Sequence, residues 1–311
     1  MALSELFKDK TVFSLEIFPP KTPKGRHNLI QALTGIQSIQ PDFISITQSA
    51  AAGFSEQATL QLASQIQNDL NIPSVAHIPC LYHSKEEVAD YLEELKAHGV
   101  ENILALRGDA CTDKPAVGDF RYASDLVEFI KGYGDFDVSG AAYPQKHPES
   151  DSVVSDTLYL KEKVQKGASH LITQMVFDNQ DYWDFKQRLD LAGIHVPVEV
   201  GIMPCTNLKQ IKRITEMSGI KLPRKFIAIM DRYADNPVAM RDAGIAYAID
   251  QIVDLIANGV DGIHLYTMNN MENTQRIWEA THNLFQATQS SHFNANQTTQ
   301  EDHYESRKVT L

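Results

Sequence analysis

Asn102-Ile103-Leu104-Ala105-Leu106-Arg107-Gly108-Asp109 reads as a buried strand that runs into a glycine and then a carboxylate. An apolar run of this length, polar only at Arg107 and closed by Gly108, suits a parallel strand covered on both faces. In parallel α/β architectures the ligand site lies at the carboxyl ends of the strands. Asp109 therefore stands where chemistry would be done, and Gly108 lets the backbone approach a flat ligand. Gly-Asp is also ordinary turn chemistry, and this stretch alone does not decide between the two readings. The other strands decide it, because they end in the same way.

Working outward, strand-like runs are expected at 12–17, 43–47, 73–77, 103–107, 138–142, 170–173, 198–203 and 262–266. Stretches with helical spacing or capping signals fall between and after them, at 28–39, 55–70, 84–98, 123–133, 153–166, 182–192, 207–218, 239–258 and 272–287. Ser55 and Ser84 are candidate N-caps, and Gly167, Gly193 and Gly259 follow helix ends. Eight strand-then-helix units with short connections are the signature of an α/β protein with a closed (β/α)8 TIM-type barrel in a single domain. A doubly wound open sheet is the runner-up, weakened because no GxGxxG fingerprint follows the first strand. The barrel is expected over residues 1–288, and the polar residues 289–311 as a disordered tail.

Composition narrows the function. The 311 residues carry 28 Lys+Arg against 40 Asp+Glu, a formal charge of −12, which argues against a general nucleic-acid surface or an anionic membrane surface. Any anionic ligand must be met by local cations. Cys80, Cys111 and Cys205 are scattered and form no CxxC pair, which disfavours a structural zinc site or a disulfide framework and fits a reducing, cytoplasmic setting. No stretch approaches the length of a membrane span, and the N-terminus has no apolar signal region.

The strand ends supply Glu16, Thr47, His77, Asp109, Tyr143 with His147, Gln174 and Tyr266. In a barrel these converge on one mouth, and so many polar ends say more than any one of them. Glu16 lies between Leu15, Ile17 and Phe18, and a carboxyl desolvated by apolar neighbours can stay protonated near neutral pH and act as a proton donor. A glutamate ion-paired inside the barrel is the plain alternative. Asp109 and Glu16 could form a divided pair, one ionised and one neutral. A metal site is disfavoured, since His77, Asp109 and Glu16 lack local ligand spacing. Asp156 and Lys163, seven apart on one helix, share a face. That face could take a ribose diol and a phosphate, or could simply be solvated.

Leu15-Glu16-Ile17-Phe18-Pro19-Pro20-Lys21, Ile44-Ser45-Ile46-Thr47, Ala76-His77, Leu106-Arg107-Gly108-Asp109, Tyr122-Ala123-Ser124-Asp125, Ile172-Thr173-Gln174, Gly201-Ile202-Met203-Pro204 and Tyr266-Thr267-Met268-Asn269 stand in a familiar order and spacing. The chain resembles methylenetetrahydrofolate reductase of the bacterial type from Val12 to about Ala287. That resemblance implies an FAD-dependent barrel that takes hydride from NADH or NADPH and passes it to 5,10-methylenetetrahydrofolate, giving 5-methyltetrahydrofolate by a ping-pong scheme. It implies self-association as well. Glu16 matches the family's general acid, and Asp109 the carboxylate beside the flavin pyrimidine and the pterin.

The resemblance puts FAD against Thr47, Gln48, Ala50 and His77, against Arg107, Gly108 and Asp109, and against Ala123, Tyr143, His147, Asp156, Tyr159 and Lys163. Asp109, Gln174, Gln210, Tyr266 and Asn270 match the substrate contacts. Some positions depart from the family pattern. Gln48-Ser49 replaces Tyr-Gly, Tyr159 replaces an Asn, and Glu162 replaces an Arg that helps hold the flavin diphosphate, so weaker FAD retention is expected. Ile214 replaces a stacking aromatic, and Asn270 an Arg for the folate tail. These two leave open a protein electron donor or another one-carbon carrier, and a non-catalytic folate- or flavin-binding subunit is the third reading.

Overall fold

A computed structural model describes residues 2–35, 39–48, 56–110 and 115–295. Eight parallel strands close into a barrel in sequence order: β1 Val12–Ile17, β2 Phe43–Ile46, β3 Ser74–Pro79, β4 Asn102–Leu106, β5 Asp137–Ala142, β6 His170–Met175, β7 Val198–Ile202 and β8 Gly262–Tyr266. The opening stretch is β4, and its apolar run is buried on both faces as expected. Around the barrel run α1 Pro23–Gly35, α2 Glu56–Asn68, α3 Lys85–Ala97, α4 Ala123–Tyr133, α5 Val153–Gln165, α6 Asn179–Ala192, α7 Leu208–Ser218, α8 Arg224–Arg232, α9 Pro237–Ala257 and α10 Met271–Ala295. Ser84 caps α3 with a full capping box, accepting from Glu87 N at 3.1 Å while Glu87 Oε2 accepts from Ser84 N at 2.7 Å. Ser55 lies outside the described residues.

Register fixes what faces inward. β1 pairs with both β2 and β8, setting Ser14 opposite His264 and Glu16 opposite Ser45 and Tyr266. Alternation then sends Phe13, Leu15 and Ile17 outward into the helical shell. Phe13 lies 4.9 Å from the Trp278 ring and 5.0 Å from the Phe285 ring of α10.

Several elements differ from the sequence expectation. The first helix occupies Pro23–Gly35, earlier than 28–39. α6 begins at Asn179 because Asp178 caps it, its Oδ1 accepting from Gln180 N at 3.1 Å. α8 is not expected from the sequence at all. Its Phe226 and Met230, one turn apart, are buried, and Phe226 packs 4.8 Å from Phe177 and 5.0 Å from Tyr247. α10 continues through Ala295 where a polar tail is expected from 289, and residues beyond 295 lie outside the described part. A short 3-10 helix, Leu3–Lys8, closes the amino-terminal end of the barrel, with Leu3 buried against Val12, Phe43, Val75, Leu104 and Ile172. Among the described residues no helix is long and apolar enough to cross a membrane.

The excursion after β7 is locked at one close approach. A Cβ on Gly244 of α9 would fall 1.8 Å from the Cys205 carbonyl oxygen, so the helix touches the backbone of the β7 exit. Gly244→Ala gains about 1 kcal/mol of helix propensity but must push two backbones apart, an overpacking cost of about 1–3 kcal/mol or more. The variant is expected to melt a few degrees lower, and a thermal midpoint at or above that of the parent would contradict this contact.

Candidate active site

The expected strand-end residues divide into three groups. In the first, Glu16 lies at the open end of the barrel between two imidazoles. Its Oε2 is 3.8 Å from His77 Nε2 and 3.6 Å from His264 Nε2. Leu15 and Ile17 point away from it, so the apolar flanks in the sequence are not its surroundings; two imidazoles and the Tyr266 ring are. His77 is buried, its Nε2 has no hydrogen-bond partner, and burial lowers its pKa to about 4, outweighing the pull of Glu16. It is therefore neutral at neutral pH, and its contact with Glu16 is not an ion pair.

Tyr266 closes this group. Its hydroxyl donates to Thr173 O at 2.9 Å, and its ring lies where a Cβ on Gly201 would be, 2.6 Å from Cε2. Burial raises the phenol well above its ordinary value, so it stays a neutral donor. The backbone that carries Glu16 is held from β8: Thr267 Oγ1 donates to Glu16 O at 2.7 Å. Asn269 pairs with both backbone groups of Phe18, at 3.0 and 2.8 Å. To make that turn, Met268 and Asn269 both adopt left-handed φ, +51° and +56°, a strained conformation for methionine.

The second group runs along the exits of β4 and β5 and the face of α5. Gly108 has φ +85°, and Asp109 beyond it is exposed. Arg107 makes a two-pronged ion pair with Glu149, at 2.5 and 2.6 Å, which holds the Glu149 carboxyl below its usual range. Tyr143 is pushed up to about 12 by burial and next by Asp109, and its ring meets His147 edge-on at 4.6 Å. Asp156 accepts from Ser150 Oγ at 2.7 Å. Lys163 crosses Gly140, where a Cβ would be 2.7 Å from its Cδ, and donates from Nζ to Ala141 O at 2.7 Å. Burial lowers this lysine to about 8, against the pull of Asp156. At the outer edge Ala123 opens α4, and Tyr159, 58% exposed, stacks on Tyr122 at 6.3 Å. Glu162 is engaged by Lys166 at 3.0 Å, and that ammonium also meets Asp125 and Glu128.

The two groups adjoin electrostatically: Asp109 acts on Tyr143, Tyr143 on Tyr266, and Glu16 on Tyr266. Tyr143 thus lies within electrostatic reach of Asp109, and Tyr266 within that of Glu16. The third group is Gln174, whose Oε1 accepts from Met175 N at 3.0 Å, beside a cleft shared with Tyr143 and Ile220.

Five expected contacts, Asn270, Ala50, Gln210, Thr47 and Gln48, do not fall into these groups. Asn270 Oδ1 accepts from Asn273 N at 3.0 Å, an N-cap geometry for α10 that occupies the side chain. Ala50 and the Gln210 side chain lie outside the described residues. Ile214 packs against the apolar cluster of Met175, Phe177 and Met203. Thr47 and Gln48 follow β2, and Gln48 Oε1 is buried without a hydrogen-bond partner.

Sequence reading missed His264, Ser14, Glu199, Thr267 and Asn269. The available signal was period two: Ser14 and His264 each precede a strand-end residue by two, and so share its face.

These donors suit an elongated, partly anionic ligand lying from β4 across β5 to α5. Gln48 Oε1 and His77 Nε2 offer unpaired buried groups at the β2 and β3 ends, Gly108 allows close approach, Lys163 supplies positive charge, and Arg107 shares its own with Glu149. A carboxyl between two imidazoles at the carboxyl-end rim of a closed (β/α)8 barrel stands where enzymes of this fold carry their active sites.

A family model for methylenetetrahydrofolate reductase matches residues 2–282. A 5,10-methylenetetrahydrofolate reductase of Pectobacterium carotovorum is 33% identical over 261 residues, covering 83% of this chain and 86% of that one. The Escherichia coli enzyme is 34% identical over 266 residues, covering 85% and 88%. Methylenetetrahydrofolate reductase (NADH) 1 of Arabidopsis thaliana is 35% identical over 275 residues, which span 84% of this chain and 46% of that longer protein. Among solved structures, a Clostridium thermocellum protein that binds two copies of 5-methyl-5,6,7,8-tetrahydrofolic acid aligns with a TM-score of 0.64 at 14% identity, covering 91% and 96%. At that identity the likeness is one of fold. The chain belongs to the methylenetetrahydrofolate reductase family. It is an oxidoreductase of folate one-carbon metabolism.

Proposed function

We propose that this protein reduces 5,10-methylenetetrahydrofolate to 5-methyltetrahydrofolate, with NADH or NADPH as donor, FAD as the resident cofactor, and the two substrates using the site in turn. The observation that carries the reading is the Glu16 carboxyl held 3.6 and 3.8 Å from two imidazoles at the barrel rim. Lys163, Asp156, His147 and Arg107 would hold the dinucleotide portion of FAD, and Thr47, His77, Gly108 and Asp109 its ring end. Bound there, FAD supplies hydride transfer between nicotinamide and folate.

The protein's own residues supply the rest. Glu16 donates a proton to the bridging nitrogen of the folate, which opens the five-membered ring and leaves a cationic iminium carbon. Asp109, as an anion near the pterin, favours that cation over the neutral closed ring. Gln174, with donor and acceptor on one amide, orients the pterin or nicotinamide edge. Tyr266 and Tyr143 both stay neutral beside these carboxyls, because burial raises each phenol.

The test is anaerobic. Addition of NADH to the FAD-loaded protein should bleach the flavin absorbance, and 5,10-methylenetetrahydrofolate should restore it. Restoration by folate without bleaching by nicotinamide would point to a protein donor, and failure to take up FAD would end the reading. Glu162 bears on retention: although Lys166 engages it, it adds negative charge where a diphosphate would lie. Glu162→Gln is expected to tighten FAD binding by a few-fold, within the roughly 1 kcal/mol available to exposed charges. Unchanged or weaker retention in a flavin fluorescence titration would count against that placement.

A further inference from the structure

Below Glu16 the barrel interior continues as a polar line. Ser14 is fully buried, its Oγ 2.6 Å from His264 Nδ1 and 2.7 Å from Glu199 Oε1. His264 Nε2 lies 3.6 Å from Glu16 Oε2 and is in hydrogen-bond reach of Ser45 Oγ at 3.4 Å, so the serine shares the nitrogen that faces Glu16. Glu199, on β7, is 0% exposed. It has space only because β8 carries Gly262 beside it, where a Cβ would fall 2.7 Å from Glu199 Cγ.

The groups that face Glu199 come from four places: Ser14 on β1, His264 and Tyr266 on β8, His170 on β6, and Asp42 ahead of β2. Its only ion-pairing neighbour among the described residues is His170, with Nε2 3.9 Å from Oε2, and neither of those atoms has a hydrogen-bond partner. Burial lowers His170 to about 4, so it brings no charge at neutral pH. Burial raises Glu199 well above the usual carboxyl range, the Ser14 hydrogen bond opposes this, and Asp42 adds repulsion. A buried carboxyl so placed holds a proton.

Ser14 has one proton to donate and two acceptors within reach. When Glu199 is protonated it donates to Ser14, Ser14 donates to His264 Nδ1, and the Nε2 hydrogen faces Glu16. When Glu199 is ionised, Ser14 donates to it, His264 Nδ1 donates to Ser14, and a bare Nε2 faces Glu16. The two arrangements differ by one proton moved from one carboxyl to the other.

We propose that Glu199 is the proton reserve of Glu16, the two carboxyls exchanging one proton through Ser14 and His264. The proposal rests on the reading of Glu16 as donor to the folate nitrogen. After Glu16 has given up its proton, the Nε2–H bond of His264 breaks and an O–H bond forms on Glu16. The Ser14 O–H breaks and His264 Nδ1–H forms; the Glu199 O–H breaks and Ser14 O–H forms anew. Three bonds break, three form, and nothing is oxidised. Glu199 ends as a carboxylate accepting from Ser14, and the line resets when Glu16 returns its proton by the same three transfers in reverse and then takes another from the open rim. Closing the 3.6 Å gap needs a small rotation of the Glu16 side chain, which is 20% exposed at the mouth. Glu199 touches no substrate, so it is a positioning residue.

The experiment pairs infrared spectra in water and heavy water with the two half-reactions followed separately. At neutral pH the FAD-loaded protein should show a protonated-carboxyl band sensitive to deuteration. The contribution of Glu199 should persist in Glu16→Gln and be lost in Glu199→Gln, which keeps only the contribution of Glu16. Glu199→Gln should slow folate reduction about tenfold at about pH 8 and less at about pH 6, where solvent protons reach the rim, with oxidation of the nicotinamide unchanged. Ser14→Ala should show the same deficit and Ser14→Thr, which keeps the hydroxyl, should restore the rate. Loss of the band in Glu16→Gln, or wild-type folate reduction by Glu199→Gln at both pH values, overturns the reserve. If Glu16→Gln itself reduces folate normally, the failure lies with Glu16 as donor.

Discussion

Glu16→Gln should lower the rate of folate reduction by about 10²–10⁴-fold, the usual contribution of a positioned proton donor, while nicotinamide oxidation keeps its wild-type rate. Glutamine preserves size beside His77 and His264, so the barrel rim should keep its shape; what is lost is a transferable proton. The two half-reactions separate this from a folding defect, because only the folate step needs the bridging nitrogen protonated. Stopped-flow reoxidation of the reduced protein by folate is the measurement. A folate step within a few-fold of wild type would move the donor elsewhere.

Lys163→Met should weaken FAD binding by about 10–100-fold, the value of one charge-assisted hydrogen bond of roughly 1.5–3 kcal/mol. Methionine keeps the apolar stem that crosses Gly140, so packing against β5 survives and only the ammonium is removed. The pH dependence adds a second readout. The lysine ionises at about 8 in the folded protein against an ordinary 10.5, so above about 8 the folded chain binds fewer protons than the unfolded one. Stability of the cofactor-free protein therefore rises with pH between these values, since burying the charged form is the penalty being relieved. FAD affinity runs the other way, level below about pH 8 and falling above it. Lys163→Met should abolish both trends, and a methionine variant that still loses FAD over that range would assign the titration to another group.

Most of the barrel can be read in the sequence, and the exceptions share a cause. Alternating apolar runs and capped helices give all eight strands, because burial on both faces leaves near-continuous apolar segments. α8 hides because only Phe226 and Met230 of its turns are fully buried, amid Arg224, Lys225, Asp231 and Arg232 and just after Pro223. The helical turn Leu3–Lys8 hides because it has no period to show; one leucine plugging the barrel floor is enough.

At the rim, polar residues where apolar runs end are visible, and Glu16, His77, Tyr143 and Tyr266 are found that way. The row beneath them is not, since a serine, a histidine and a glutamate inside strands look like solvent-facing positions until closure turns them inward. At Asn270 a local backbone demand is equally hidden: the start of α10 uses its side-chain oxygen, which no pattern of apolar runs shows.

The clasp made by Thr267 and Asn269 on the chain around Glu16 and Phe18 joins segments 251 residues apart. A nascent polypeptide still on the ribosome, with its final strand unmade, has the acid-bearing segment but nothing to seat it. Competence should thus arrive late and all at once, after synthesis has passed Asn269 and the last strand has docked, and partial translation products should be inert.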